Sequence, residues 1–262
     1  LNAAVYFQAR YKKTGGTDVQ GAAGTPEVRT TNSGRIDLPD EFALFVGGRA
    51  NENIGALVEI NIGTPAAGVA GLKVPVMFDM GGTKVGVVLF SNGGLGPQYG
   101  YDVFATGSTA NGRVIENGVG YSAAMYLGTG TAVSGAAILA ASETFHVSYT
   151  PWAQGHMATN AAVTATALGG NYIRAAYTPS MAGWDLGVGV QNYSGNSMKG
   201  IGVLSVLGTQ RDSATIIDFQ GQGEVAAMPI GIYGSYGWAG GQAAGAAVNT
   251  YNNGTERKTA FG

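Results

Sequence analysis

Residues 53–63 read NIGALVEINIG, and the fold turns on how they are read. Ile54, Ala56, Val58, Ile60 and Ile62 take every second position, with Gly55, Leu57, Glu59, Asn61 and Gly63 between them. A period of two is that of a strand, whose side chains point alternately to opposite faces. One face of this segment is apolar, and the other carries a glutamate and an asparagine. The question is what each face meets.

Composition narrows the answer. Of 262 residues, 45 are glycine and only 11% are charged; an ordinary soluble domain has roughly 7% and 25%. Mean hydropathy is +0.10, yet no run approaches the ~18 apolar residues of a membrane helix. The glycines show no three-residue period and there are 8 prolines, which excludes collagen. Aromatic residues make up 10% of the chain, which argues against disorder. A net charge of −2 offers no basic face, so nucleic acid is not an expected partner. Without cysteine there is no disulfide, zinc knuckle, thiol nucleophile or covalent haem attachment in these residues. The absence of cysteine points weakly to the bacterial envelope. The start, LNAAVYF, carries neither Met nor a signal peptide and suggests a mature form or a fragment.

Alternation recurs along the chain in segments separated by Gly, Asn, Ser and Pro. Strands are expected near 3–12, 41–50, 53–63, 72–80, 84–91, 117–127, 131–141, 143–152, 161–168, 170–178, 183–193, 200–208, 214–222 and 225–238. Short connections are RANEN (49–53), DMGGTK (79–84), LGTGT (127–131) and TPSMAG (178–183). Long loops are expected at 14–40, 92–116 and 239–257 of a single domain spanning 1–262. TAVSGAAILAAS (131–142) is Ala-rich and could be helical by propensity; Gly128, Gly130 and the alternation on both sides favour strand.

The faces decide between architectures. Phe145, Val147 and Tyr149 alternate with Thr144, His146, Ser148 and Thr150. Trp184, Leu186, Val188 and Val190 alternate with Asp185, Gly187, Gly189 and Gln191. Thr215, Ile217 and Phe219 alternate with Ile216, Asp218, Gln220 and Gln222. A soluble sandwich would carry Lys, Glu, Arg and Thr on its water face, whereas here the second face is mostly Gly, Ala and Ser. A transmembrane barrel turns its apolar face to lipid and the other to a lumen. Closure satisfies every backbone group, and aromatics gather at strand ends. Tyr101, Tyr121, Tyr149, Trp152, Tyr172, Tyr177, Trp184, Tyr193, Tyr236 and Trp238 mostly fall near such ends. The expected fold is all-β, an antiparallel transmembrane β-barrel of about 14 strands. Glu59 and Asn61 then face the lumen and Ile54 to Ile62 face lipid, because a charge on the lipid face costs about 2–4 kcal/mol at the midplane.

Four stretches carry a family resemblance: LNAAVYFQARYKKTGG (1–16), LPDEFALFVGGRANENIGALVEINI (38–62), KVGVVLFSNGG (84–94) and ATIIDFQGQGEV (214–225). They resemble outer-membrane β-barrel proteins of proteobacteria found alongside c-type cytochromes. The closest motif is FVGGR…NIGALVEI, an aromatic–Gly–Arg followed by Gly and an acidic or amide residue. The resemblance implies a bacterial outer-membrane location, a lipid bilayer as partner, and c-type cytochromes as further partners. Relatives often carry a CxxCH haem motif just upstream of the segment resembling residues 1–13. This chain shows none, so haem would come only from a missing N-terminus or a partner. Relatives also continue past the polar NNGTERKTAFG (252–262), so closing strands are expected to be missing.

The lumen candidates are Arg49, Glu59, Asn61, Lys73, Asp79, Arg174, Asp185, Gln191, Asp218, Gln220 and Gln222. They line a polar pore wall or pair internally, Arg49 with Glu59 and Lys73 with Asp79, to fill a narrow barrel; both readings stand. The near balance of charges predicts weak ion selectivity. His146, mid-strand on the polar side, and His156, in a loop, lack convergent ligands for a metal site. DMGGTKVG and SNGGLG read as turns, since no helix follows to form a phosphate cradle. Catalysis is not expected: GxSxG with usable partners, HExxH and GxxxxGK[ST] are all missing. The expected function is a porin-like channel for passive diffusion of ions or small solutes. The alternatives are a barrel sheath around an outer-membrane electron-transfer conduit, and a structural surface-layer or fibre subunit. A homo-oligomer is compatible with the first, but nothing in the sequence marks a subunit interface.

Overall fold

The computed structural model describes residues 1–13, 34–62, 68–102, 122–156, 166–200, 208–243 and 245–262. Among them are fourteen strands and one short α-helix, so the chain is all-β. Neighbouring strands are antiparallel, with one parallel exception at the short β13 (Val248–Asn249) against β11 (Gln210–Val225). Among the described residues no ladder closes the sheet on itself. The all-β antiparallel sheet agrees with the expectation, and its closure into a barrel is not seen among the described residues. The described residues fall into two compact units: Leu1–Gly48 with Leu57–Ala70, and Arg49–Ala56 with Gly71–Gly262.

In the first unit, β1 (Asn2–Lys12) pairs with β2 (Arg35–Arg49) from Asn2↔Gly47 to Lys12↔Arg35, with an irregularity between Gln8 and Arg10. Phe7 meets Phe42 edge-on at 6.0 Å, and Arg10 bridges Asp40 at 2.5 Å. Ile62 N donates to Phe42 O at 2.9 Å beside β3 (Gly55–Asn61). Along β3 both parities are half-exposed, and Glu59 and Asn61 are half-buried rather than sequestered.

The second unit carries the chemistry. Its strands follow one another by hairpins or longer returns: β4 (Gly68–Met80), β5 (Thr83–Asn92), β6 (Val133–Ala141), β7 (Phe145–Gln154), β8 (Gly170–Tyr177), β10 (Trp184–Gly195), β11, β12 (Met228–Ala239) and β14 (Lys258–Phe261). The two-residue β9 (Ser180–Met181) pairs with the start of β10. Within 131–142, Val133–Ala141 is a strand, as alternation indicates, and not the helix that alanine content allows. At Gly81 and Gly82, both with positive φ, β4 turns into β5; such a tight hairpin needs φ > 0 at both central residues. The SNGGLG turn is closed by Asn92, whose Oδ1 accepts from Gly94 N at 3.1 Å and Leu95 N at 2.5 Å.

Two expectations change, and two expected strands lie mostly outside the described residues. The strand over 117–127 is, from Ala123 to Leu127, the helix α1. Ser122 caps it by accepting from Met125 N, and Gly128 ends it in the left-handed region; these are the residues that start and stop helices. Residues 103–121, 157–165 and 201–207 lie outside the described residues, and with them most of the strands expected at 161–168 and 200–208. Thr166 and Gly200 form an isolated bridge. The polar end is not all loop: Lys258–Phe261 pairs with Ala239 to Tyr236 as β14, and β13 lies inside the expected loop 239–257.

The inner face of this unit is packed. Val88, Phe90, Leu139, Trp152, Tyr172, Tyr193 and Ile216 form a buried cluster with Ala123 and Leu127 of α1. The helix sits directly on Gly237 of β12. A Cβ there would stand 2.9 Å from Ile216 Cγ1 and 3.0 Å from Leu127 Cδ1. Gly237→Val is therefore expected to destabilise the protein by about 1–3 kcal/mol through overpacking, read from equilibrium urea unfolding. An unchanged midpoint would mean that α1 does not pack there.

Candidate functional site

The second face of the strands gathers one polar cluster. Register sets Arg174 of β8 opposite Gln191 of β10, and Gly189 of β10 opposite Asp218 of β11. Because Gly189 has no side chain, the Arg174 guanidinium crosses over it to the strand beyond; a Cβ there would lie 2.8 Å from Cζ. Arg174 Nη1 then donates to Asp218 Oδ2 at 2.6 Å and Nη2 to Oδ1 at 2.9 Å. This is the bidentate fork that makes arginine–carboxylate pairs strong. Gln191 Nε2 donates to Asp218 Oδ2 at 3.2 Å, and its Oε1 accepts from the Tyr193 hydroxyl at 3.0 Å and the Tyr172 hydroxyl at 3.4 Å. Arg174 and Gln191 are fully buried, and Asp218 is 1% exposed.

A segment between strands completes it. After β5 the chain turns onto the inner face through a short 3-10 helix (Pro97–Tyr99). Lys73 Nζ stands 4.0 Å from the centre of the Tyr99 ring, and Tyr99 packs on Phe90. The Tyr193 hydroxyl reaches Gln98 Oε1 at 3.2 Å. Tyr101 meets the His146 ring edge-on at 5.5 Å. Asp102 Oδ2 lies 3.3 Å from Arg174 Nε, and its Oδ1 4.0 Å from His146 Nε2. Burial, and then the Asp102 carboxylate, raises the Tyr101 hydroxyl above its ordinary value, so it stays protonated. Two carboxylates thus share one guanidinium, one from the wall and one from the inward segment.

The structure brings together three of the lumen candidates, Arg174, Gln191 and Asp218, with Lys73 at their edge, and places the rest elsewhere. Lys73 lies at the edge of the same cluster, on Tyr99. Asp79 pairs with Lys84 at 2.5 Å and not with Lys73, because the tight hairpin sets Asp79 and Lys84 opposite one another. Arg49 donates to the Glu52 carbonyl at 2.5 Å, within its own turn. Asp185 accepts from Ser180 at 2.6 Å in the exposed β9 hairpin. Gln222 donates to the Tyr233 hydroxyl at 2.9 Å, and Gln220 is half-buried one step nearer the cluster. Glu59 and Asn61 belong to the first unit. Sequence reasoning missed Asp102, Gln98, Tyr172 and Tyr193 as members. His146, read as a lone polar residue, has Asp102 and Tyr101 beside it. His156 Nδ1 lies 2.8 Å from Ser91 Oγ, which also contacts Ser134 Oγ at 2.8 Å.

The opposite face inverts what a water-soluble sheet shows. Val190 of β10 lies opposite Ile217 of β11, with Ile173 of β8 on the same face, and they are 40%, 47% and 44% exposed. Phe145, Val147, Tyr149, Tyr177, Val188 and Phe219 extend this band, and a shallow apolar groove of about 490 Å³ runs through it. Among the described residues no group of three or more metal-ligating side chains converges, and no helix is long and apolar enough to cross a membrane. Comparison with family models, with curated proteins and with solved structures finds no match to the chain.

Proposed function

We propose that the chain is an integral β-barrel protein of a bacterial outer membrane, acting as a porin-like channel whose interior is constricted for small ions and solutes. One observation carries this: the exposed face of the second unit is its apolar face, while arginine, aspartate and glutamine are buried on the other. In water this arrangement leaves an apolar patch uncovered; in a bilayer each face meets its matching medium. The rims support the reading. One end of the unit has brief turns at 81–82, 142–144, 178–183 and 226–227. Short periplasmic turns and longer outer loops are the habit of outer-membrane barrels. The inward segment with Asp102 supplies a charged constriction of the kind that tunes passage.

The test is conductance in planar bilayers together with carbonate extraction of native membranes. A channel with weak ion preference and retention in the membrane pellet are expected. Glu59→Gln with Asp79→Asn is expected to shift the ion preference less than Asp102→Asn, because Asp79 is tied to Lys84 at the rim. Release by carbonate would favour a surface-layer subunit and overturn the membrane reading.

A further inference from the structure

We propose that residues 93–102 form a displaceable strap, tied by the Asp102 carboxylate to Arg174, and that loosening this tie opens the passage; the second half of this inference rests on the channel reading above. The strap is anchored at its start, where Gly96 N donates to Thr131 O at 2.9 Å and Asn92 Nδ2 to Gly96 O at 3.1 Å. Beyond that point two backbone bonds close within the strap, Tyr99 N to Gly96 O and Gly100 N to Pro97 O, both at 3.2 Å. Side chains join it to the wall: Gln98 to Tyr193, Tyr99 under Lys73, Tyr101 on His146, and Asp102 to Arg174. A peptide held this way can leave without breaking a strand ladder.

The two carboxylates around Arg174 are unequal. Asp218 makes two short bonds from a strand in full register, and Gln191 steadies it. Asp102 reaches the same guanidinium at 3.3 Å, from the strap. Neutralising Asp102 leaves the guanidinium seated on the wall by Asp218, so the strap is freed while the wall holds. The wall carboxylate fixes the arginine; the strap carboxylate is the movable partner.

Because the chain has no cysteine, introduced thiols report alone. Gln98 is 3% exposed, so Gln98→Cys in the reconstituted protein should react slowly with a water-soluble maleimide. Adding Asp102→Asn is expected to raise that rate at least ~10-fold, and to raise bilayer conductance at least ~2-fold. A second pair locks the strap. An ideal Cβ on Gly100 lies 2.8 Å from the Ala137 Cβ, and a disulfide spans about 3.8 Å between Cβ atoms, within reach after a small shift. Oxidising Gly100→Cys/Ala137→Cys in the Asp102→Asn background should return conductance to the parent level. Asp102→Ser replaces Asp102→Asn should that variant fail to fold. Unchanged labelling, or open and locked forms of equal conductance, overturns the strap. Faster labelling in a protein that never conducts keeps the strap and overturns the channel.

Discussion

Asp218→Ala will destabilise the folded protein by about 3–5 kcal/mol, because it strips the two-bond partner from a buried guanidinium. Arg174 is fully buried, and its remaining carboxylate contact, to Asp102 at 3.3 Å, comes from the strap. Replacing Arg174, Asp218 and Asp102 together by Met, Leu and Asn should cost far less, since no charge is then left unmatched. Equilibrium unfolding in lipid vesicles, followed by tryptophan fluorescence, compares the two. A single-variant cost below about 1 kcal/mol is what a water-accessible pair would give, and it would mean that the cluster is solvated.

Val190→Arg is the second large effect. Val190 is 40% exposed, and on a water-facing surface such a change stays within about 0.5 kcal/mol. At a bilayer midplane an arginine costs about 2–4 kcal/mol. The same substitution at Glu143, in the exposed turn before β7, lies outside the apolar band and serves as the control. A penalty at Val190 that is absent at Glu143, measured as the folding equilibrium into vesicles, supports contact with lipid. Equal small effects at both positions would withdraw it.

Much of the second unit is legible in its sequence because its strands have two unlike faces. The parity of Val147, Ile173, Val190 and Ile217 against His146, Arg174, Gln191 and Asp218 follows from alternation alone, and every member lies on the face the pattern assigns. What escaped was local chemistry that mimics something else. The turn from β11 to β12 falls at Ala226 and Ala227, both with positive φ. Alanine carries no turn signal, so the strand boundary was placed too early, among Gly and Glu. The helix at Ala123–Leu127 hides in a stretch that also alternates, and only its Ser122 and Gly128 caps distinguish it. Asp102 was unreadable for a different reason: no local pattern tells which wall residue a loop will meet. In the first unit, Glu59 follows the strand period, but half-exposure of both parities leaves its facing undecided by burial.

The path of Arg174 across Gly189 has a consequence for assembly. A strand slipped by one residue turns every side chain to the other face. Were β8 to pair with β10 one step out, the arginine would point to the apolar face among Ile173, Val190 and Ile217. It would also land on Val188 or Val190, where no gap awaits it. The same slip between β10 and β11 would carry Asp218 out of reach of the guanidinium. Three strands must therefore be correctly aligned before this charge finds its partner, and the cluster acts as a register check on the sheet.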